Sequence, residues 1–172
     1  WPIQDELQAT LGSDYDVKVL GFGAIDVCPV FTKRDSVRDF ISTFDIDLDS
    51  SIFFGDAFDE HENDYPVARF KEHKAHKGFY VVSVNDAKPA HAAVEWLGGG
   101  PDRLRVCLDN ILRALQHDKR FVTIALRDGA ECSIDAHAVR NRGALMFDVD
   151  DTLLRRNATL DDDPVLCTII SR

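Results

Sequence analysis

ALMFDVDDTLL, residues 144–154, is an apolar run that breaks into acids: Leu145, Met146 and Phe147 lead into Asp148-x-Asp150-x-Thr152. A short apolar run bounded by polar residues reads as a buried strand. Side chains alternate along a strand, so positions i and i+2 share a face, and where the chain turns at the strand's end both carboxylates can aim at one point. Two acids so placed divide the labour of phosphoryl chemistry. One, ionised, attacks phosphorus, and the other protonates the leaving oxygen. A divalent cation held between carboxylates would offset the charge of an incoming phosphate dianion. A solvated acidic loop after a strand is the competing reading of FDVDDTLL taken alone.

Working outward, SIFFGDAFDEHENDYPVAR at 51–69 has a second buried strand ending in Gly55-Asp56, with Asn63-Asp64 a few residues further on. Carboxylates at the carboxyl end of a parallel strand stand in the crevice where open α/β sheets bind ligands, and oxygen donors of this kind suit a hard cation such as Mg²⁺. Lys33 precedes a predicted helix, SVRDFISTF, with Asp35 or Ser36 expected as its N-cap. GFYVVSV reads as another buried strand, and KPAHAAVEWL and PDRLRVCLDNILRAL as helices, the latter with Leu104, Cys107, Leu108, Ile111, Leu112 and Leu115 on one stripe. A helix over 3–11, a glycine-turned strand pair over 15–31 and a hairpin turning at Asp128-Gly129 complete the pattern. Strands alternating with helices predict an α/β layered fold.

The 172 residues carry 20 Lys plus Arg against 30 Asp plus Glu, a net charge of −10, with 45% hydrophobic and 29% charged residues. Such a chain can bury a core, which excludes wholesale disorder. The acidity argues against nucleic acid and membrane surfaces as partners, since both require a basic footprint. No apolar run approaches the roughly 18 residues of a membrane span, and the opening WPIQDELQAT lacks the features of a signal peptide, so a cytoplasmic protein is expected. Cys28, Cys107, Cys132 and Cys167 are too scattered for a zinc knuckle or redox pair and read as reduced thiols.

The acidic strand ends and Lys33 together resemble the haloacid dehalogenase superfamily of phosphotransferases. The likeness is to the branch with a cap inserted in the core, which includes phosphomannomutases, trehalose-phosphate phosphatases and sucrose-phosphate phosphatases. FDVDDTLL matches the first family motif, Ser171 in VLCTIISR the second, Lys33 the third and FFGDAFDEHENDYP the fourth. The resemblance implies a Rossmann-like parallel sheet with flanking helices and a remnant of an α+β cap. It implies a Mg²⁺-dependent phosphohydrolase acting on a small phosphorylated metabolite, such as a sugar phosphate, through an aspartyl-phosphate. Asp148 would be the nucleophile and Asp150 the general acid and base, with Ser171 and Lys33 on the transferring phosphoryl group. Asp56 and Asp64 would join Asp148 and Asp150 around Mg²⁺, with Thr152 and Asn63 as further phosphate contacts.

The order of motifs departs from the family, in which the D-x-D strand comes first and Lys and Gly-Asp last. Either the chain is a piece of a tandem protein or it is a circular permutant with one site built from both ends. The chain opens on Trp1 and carries no helix and strand after Ser171, which favours the tandem piece, with the remainder of that protein as partner. Residues 1–30 would then be the end of a cap, 31–117 the later part of one core, and 118–172 a hairpin and the opening of a second core. Each half-site would lack the other's acids. Asp151 stands where the family commonly has Gly, adding a carboxylate beside the metal.

Other features read as ordinary surface or turns. His73 and His76 sit among Lys71, Lys74 and Lys77, a solvated basic stretch. Gly21 to Gly23 is a strand turn, and GGGPD at 98–102 a break between two helices with no strand before it. DIDLDSSIFFGD at 45–56 imitates a calcium loop, with acids at Asp45, Asp47, Asp49 and Asp56 but Ser50 where a glycine is needed. That stretch supports the alternative function, a non-catalytic acidic cation-binding or interaction module.

Overall fold

Ile52, Phe53, Phe54 and Gly55 are all buried, which requires protein on both faces of the strand they form. A computed structural model describes residues 2–19, 25–30, 32–60, 62–72, 76–149 and 152–153. In it the chain runs through α1 (Pro2–Leu11), β1 (Tyr15–Val19), β2 (Ile25–Pro29), α2 (Lys33–Thr43), β3 (Ile52–Gly55) and α3 (Tyr65–Ala68). It continues through β4 (Tyr80–Ser83), β5 (Glu95–Trp96), α4 (Gly100–Gln116), β6 (Phe121–Ala125), β7 (Glu131–Asp135), α5 (Ala136–Arg142) and β8 (Leu145–Phe147).

Four strands form a parallel sheet in the order β5-β4-β3-β8. Alternate residues of β3 and β4 supply opposite faces, as the pleat demands. Ile52, Phe54 and Val82 join Leu104, Leu108 and Ile111 of α4, Val122 and Ile134 of the β6–β7 hairpin and Val139 of α5. Phe53 and Val81 instead pack with Val37 of α2 and Val67 and Ala68 of α3. Both faces are therefore covered by helices, the arrangement expected of a parallel sheet. The rings of Phe54 and Phe147 stack across the β3–β8 seam with centroids 5.4 Å apart.

The pairing of β8 with β3 corrects the expected division of the chain. Ile52 lies opposite Leu145 and Phe54 opposite Phe147, so the strand assigned to the opening of a second core lies in the first sheet, beside SIFFGD. KPAHAAVEWL is not a helix but a turn leading into β5, which pairs with β4 through Val82–Glu95 and Ser83–Trp96. The side chains of Val94 and Leu97 enter different core clusters, the two-sided burial of an extended segment. A strand thus precedes GGGPD after all, yet the loop's amides are spent within the protein. Gly98 N donates to Ser83 O, Gly99 N to Asp86 Oδ1 and Gly100 N to Val84 O.

The short helix α5 was not foreseen. Its start is fixed by Asp135, whose Oδ1 accepts from Ala138 N at 3.0 Å, a side-chain N-cap. Elsewhere α1 packs on the β1–β2 hairpin chiefly through glutamines: Gln4 Nε2 donates to Val17 O and Gln8 Nε2 to Tyr15 O, each at 2.8 Å. The glycine turn expected at 21–23 lies outside the described residues. Among those residues no helix is long and apolar enough to cross a membrane.

Cys107 and Cys132 are free and buried, and burial pushes both thiols up to about 12. Because the thiolate is the reactive form, neither should be alkylated by iodoacetamide at pH 8 in the native protein. Both should react once the chain is unfolded, which peptide mass mapping would read.

Candidate functional site

The site begins with one carboxylate. Asp64 stands just before α3, and its side chain turns back over the end of β3, where Oδ2 accepts hydrogen bonds from Asp56 N at 3.0 Å and Ala57 N at 3.1 Å. It is 0% exposed. A Cβ built on Gly55 would fall directly on Asp64 Oδ2, so the glycine closing β3 is a seat for this carboxylate. Sequence reasoning noted Gly55-Asp56 as a strand end and missed that role. The signal available was a glycine after an apolar strand, which marks close approach of another group.

Burial pushes the Asp64 carboxyl above its ordinary range, and the nearby charge of Asp148 adds to this, although the Lys33 ammonium and the Ala57 amide oppose it. Lys33 Nζ lies 2.6 Å from Asp64 Oδ1 and 2.5 Å from Asp148 Oδ1. Burial works against the charged lysine, but hydrogen bonds to Asp148 and Asp64, together with their charges, outweigh it and raise its pKa. The delivery of Lys33 is local in origin. Thr32, not Asp35 or Ser36, caps α2: its hydroxyl accepts from Asp35 N while the Asp35 carboxylate accepts from Thr32 N, a reciprocal capping box. The helix therefore starts at Lys33 itself.

Asp148 follows β8, its amide donating to Phe54 O at 2.9 Å and extending the β3–β8 pairing by one bond. Asp56, Asp64 and Asp148 each offer an oxygen within 4.8 Å of the others. Oxygens bound to one hard cation lie at about 2.0–2.6 Å from it, so opposed ligands are about 4–5 Å apart. The three carboxylates fit that span, and oxygen donors alone are the chemistry of Mg²⁺ or Ca²⁺. The Lys33 ammonium lies against two of the three carboxylates, Asp64 and Asp148.

The convergence overturns the expectation of two half-sites, because Asp148 meets Asp56 in one crevice at the carboxyl ends of adjacent strands. Thr152 is buried, and its hydroxyl donates to Asp56 Oδ1 at 3.3 Å. Asn63 is exposed beside Asp64. Asp150, Asp151 and Ser171 lie outside the described residues, as does His73. His76 packs edge-on against Phe70.

The calcium-loop reading of 45–56 fails on geometry. Asp47 accepts from Asp49 N and Ser50 Oγ, Asp49 accepts from Gly78 N, and the length of β3 separates these acids from Asp56. Compared with family models, with curated proteins and with solved structures, the chain has no match in any of the three.

Two substitutions probe the geometry. Gly55→Ala should displace the Asp64 carboxylate, lowering stability by about 1–3 kcal/mol and weakening Mg²⁺ binding, as read by thermal unfolding with and without the cation. Lys33→Met should leave Asp64 and Asp148 unneutralised, costing about 2 kcal/mol in EDTA. Saturating Mg²⁺ should recover a larger part of that loss than the gain it gives the unsubstituted protein.

Proposed function

We propose that the protein is a Mg²⁺-dependent phosphohydrolase of the haloacid dehalogenase type, with Asp148 as nucleophile toward a small phosphomonoester. The observation that carries this reading is the meeting of Asp148 with Asp56, Asp64 and Lys33 at the carboxyl ends of β8 and β3. A nucleophilic acid, two further carboxylates and an ammonium are the groups such chemistry needs, and positioning with charge neutralisation supplies most of its rate. In this reading the α1 and β1–β2 segment would correspond to part of the family's cap. The free thiols Cys107 and Cys132 fit a reducing, cytoplasmic setting.

In this reading a carboxylate oxygen of Asp148 attacks phosphorus, forming the acyl-phosphate bond as the ester P–O bond breaks. Asp150 protonates the departing alkoxide and then takes a proton from the water that hydrolyses the aspartyl-phosphate, releasing inorganic phosphate and restoring Asp148. Lys33 orients Asp148 and offsets charge on the phosphoryl oxygens. Asp64, locked over Gly55, fixes the depth of the site. Asp56, Asp64 and Asp148 would hold Mg²⁺, which when bound supplies further neutralisation of the phosphoryl charge.

Phosphate release from p-nitrophenyl phosphate should require Mg²⁺ and fall by about three orders of magnitude in Asp148→Asn. An activity that persists in EDTA and survives this substitution would refute the mechanism. Tight Ca²⁺ binding without turnover at any pH would instead return the protein to the class of acidic cation-binding modules.

A further inference from the structure

Of the three acids, Asp148 lines a cleft whose remaining walls have a different chemistry. Lys33, Ser36 and Asp148 form its polar rim, and beyond them it is lined by apolar side chains, among them Phe40, Phe53 and Met146, enclosing about 340 Å³. That volume is in the range of small-molecule sites. Two further cavities among the described residues do not touch the acids. One lies at the amino ends of the strands, against Ser51 and Tyr80, and the other between α4 and β6.

We infer that the substrate is a phosphomonoester of an apolar alcohol, its hydrocarbon body lying between α2 and β8, and not a polyhydroxylated sugar phosphate. This rests on the phosphohydrolase reading and deepens it. A phosphoryl group placed against Lys33 and Asp148 turns its ester substituent toward the cleft that those two residues border. Among the described residues, Ser36 is the one neutral hydroxyl side chain lining that cleft. A sugar would bring several hydroxyls out of water with too few partners, an unfavourable transfer, whereas an aryl or alkyl chain would meet apolar surface throughout. Phe40 marks the mouth: it is 39% exposed and tilted against Phe44, with ring centroids 5.1 Å apart. The exposed ring gives an incoming hydrocarbon a surface to cover.

The test compares phenethyl phosphate with glycerol phosphate and glucose-6-phosphate, all with Mg²⁺. All three are esters of primary alcohols, so the leaving oxygens are alike and differences in kcat/KM report on the cleft. Phenethyl phosphate should be favoured by about tenfold or more, mainly through KM. Phe40→Ser should reduce the preference to about threefold or less, while Phe121→Ser, on the distant hairpin, should leave it unchanged.

Calorimetric binding of phenethylphosphonate and methylphosphonate, neither of which can turn over, supplies a second readout. Turnover with equal or better use of the sugar ester would overturn the inference and leave the phosphohydrolase reading standing. No turnover of any ester, with phenethylphosphonate still bound about tenfold more tightly than methylphosphonate, would overturn the phosphohydrolase reading and keep the apolar cleft. Equal binding of the two phosphonates, or none by either, would overturn the inference.

Discussion

A carboxylate with no exposed surface must be compensated where it lies, and the compensation of Asp64 organises this end of the molecule. Two backbone amides at the end of β3 and the ammonium of Lys33 surround it. The amides are available because β3 turns at Asp56 and Ala57, and the space because residue 55 has no side chain. The ammonium is available because α2 starts one residue after its Thr32 cap. An unpaired buried charge costs several kcal/mol, so each of these local features is coupled to the others. Asp148, sharing the same ammonium, ties β8 into the arrangement.

The parallel sheet explains how residues so far apart in the chain can meet in one crevice. Ala144 and Ser51, 93 positions apart, are joined by a hydrogen bond at the entrance to β8 and β3, and Thr152 reaches Asp56 across 96 positions at the exit. The side chains of buried β3 and half-buried β8 join the same two layers, so their pairing depends on apolar pattern and not on which comes first. A crevice at the carboxyl ends of adjacent parallel strands needs neighbours in space alone. The order of the two strands along the chain therefore does not prevent their acids from meeting in one place.

What could be read from the sequence followed from short, strong patterns. Four consecutive buried residues in β3 and the apolar run of β8 left one reading, and the acids after them and Lys33 before α2 were visible as residue types. The failures have physical causes. KPAHAAVEWL has helical spacing, but it crosses the sheet edge and divides its apolar residues between two faces, which a period-based reading cannot separate from one stripe. The helix α5 is only two turns long and depends on the Asp135 cap. The roles of Gly55 and Thr32 lie in contacts with residues seen only once the chain is folded, Asp64 for the first and the reach of Lys33 for the second.

The remaining question is whether this cluster is a structural staple or a site, and its charge discriminates between them. A staple is complete when each charge has a partner, and Lys33 with Asp64 alone would meet that condition, since the two backbone amides satisfy the other carboxylate oxygen. Asp148 and Asp56 add negative charge in the same crevice, where Coulomb repulsion at a separation of a few ångströms is poorly screened. Their placement is enforced from three directions, by the β8 pairing, by the turn after β3 and by the Thr152 hydroxyl. Like charges held close together by the surrounding structure are characteristic of functional sites. Three carboxylates gathered around one ammonium, with Asp148 also lining an apolar cleft, therefore agree better with the proposed site for a cation and an anionic ester than with a device for holding the fold together.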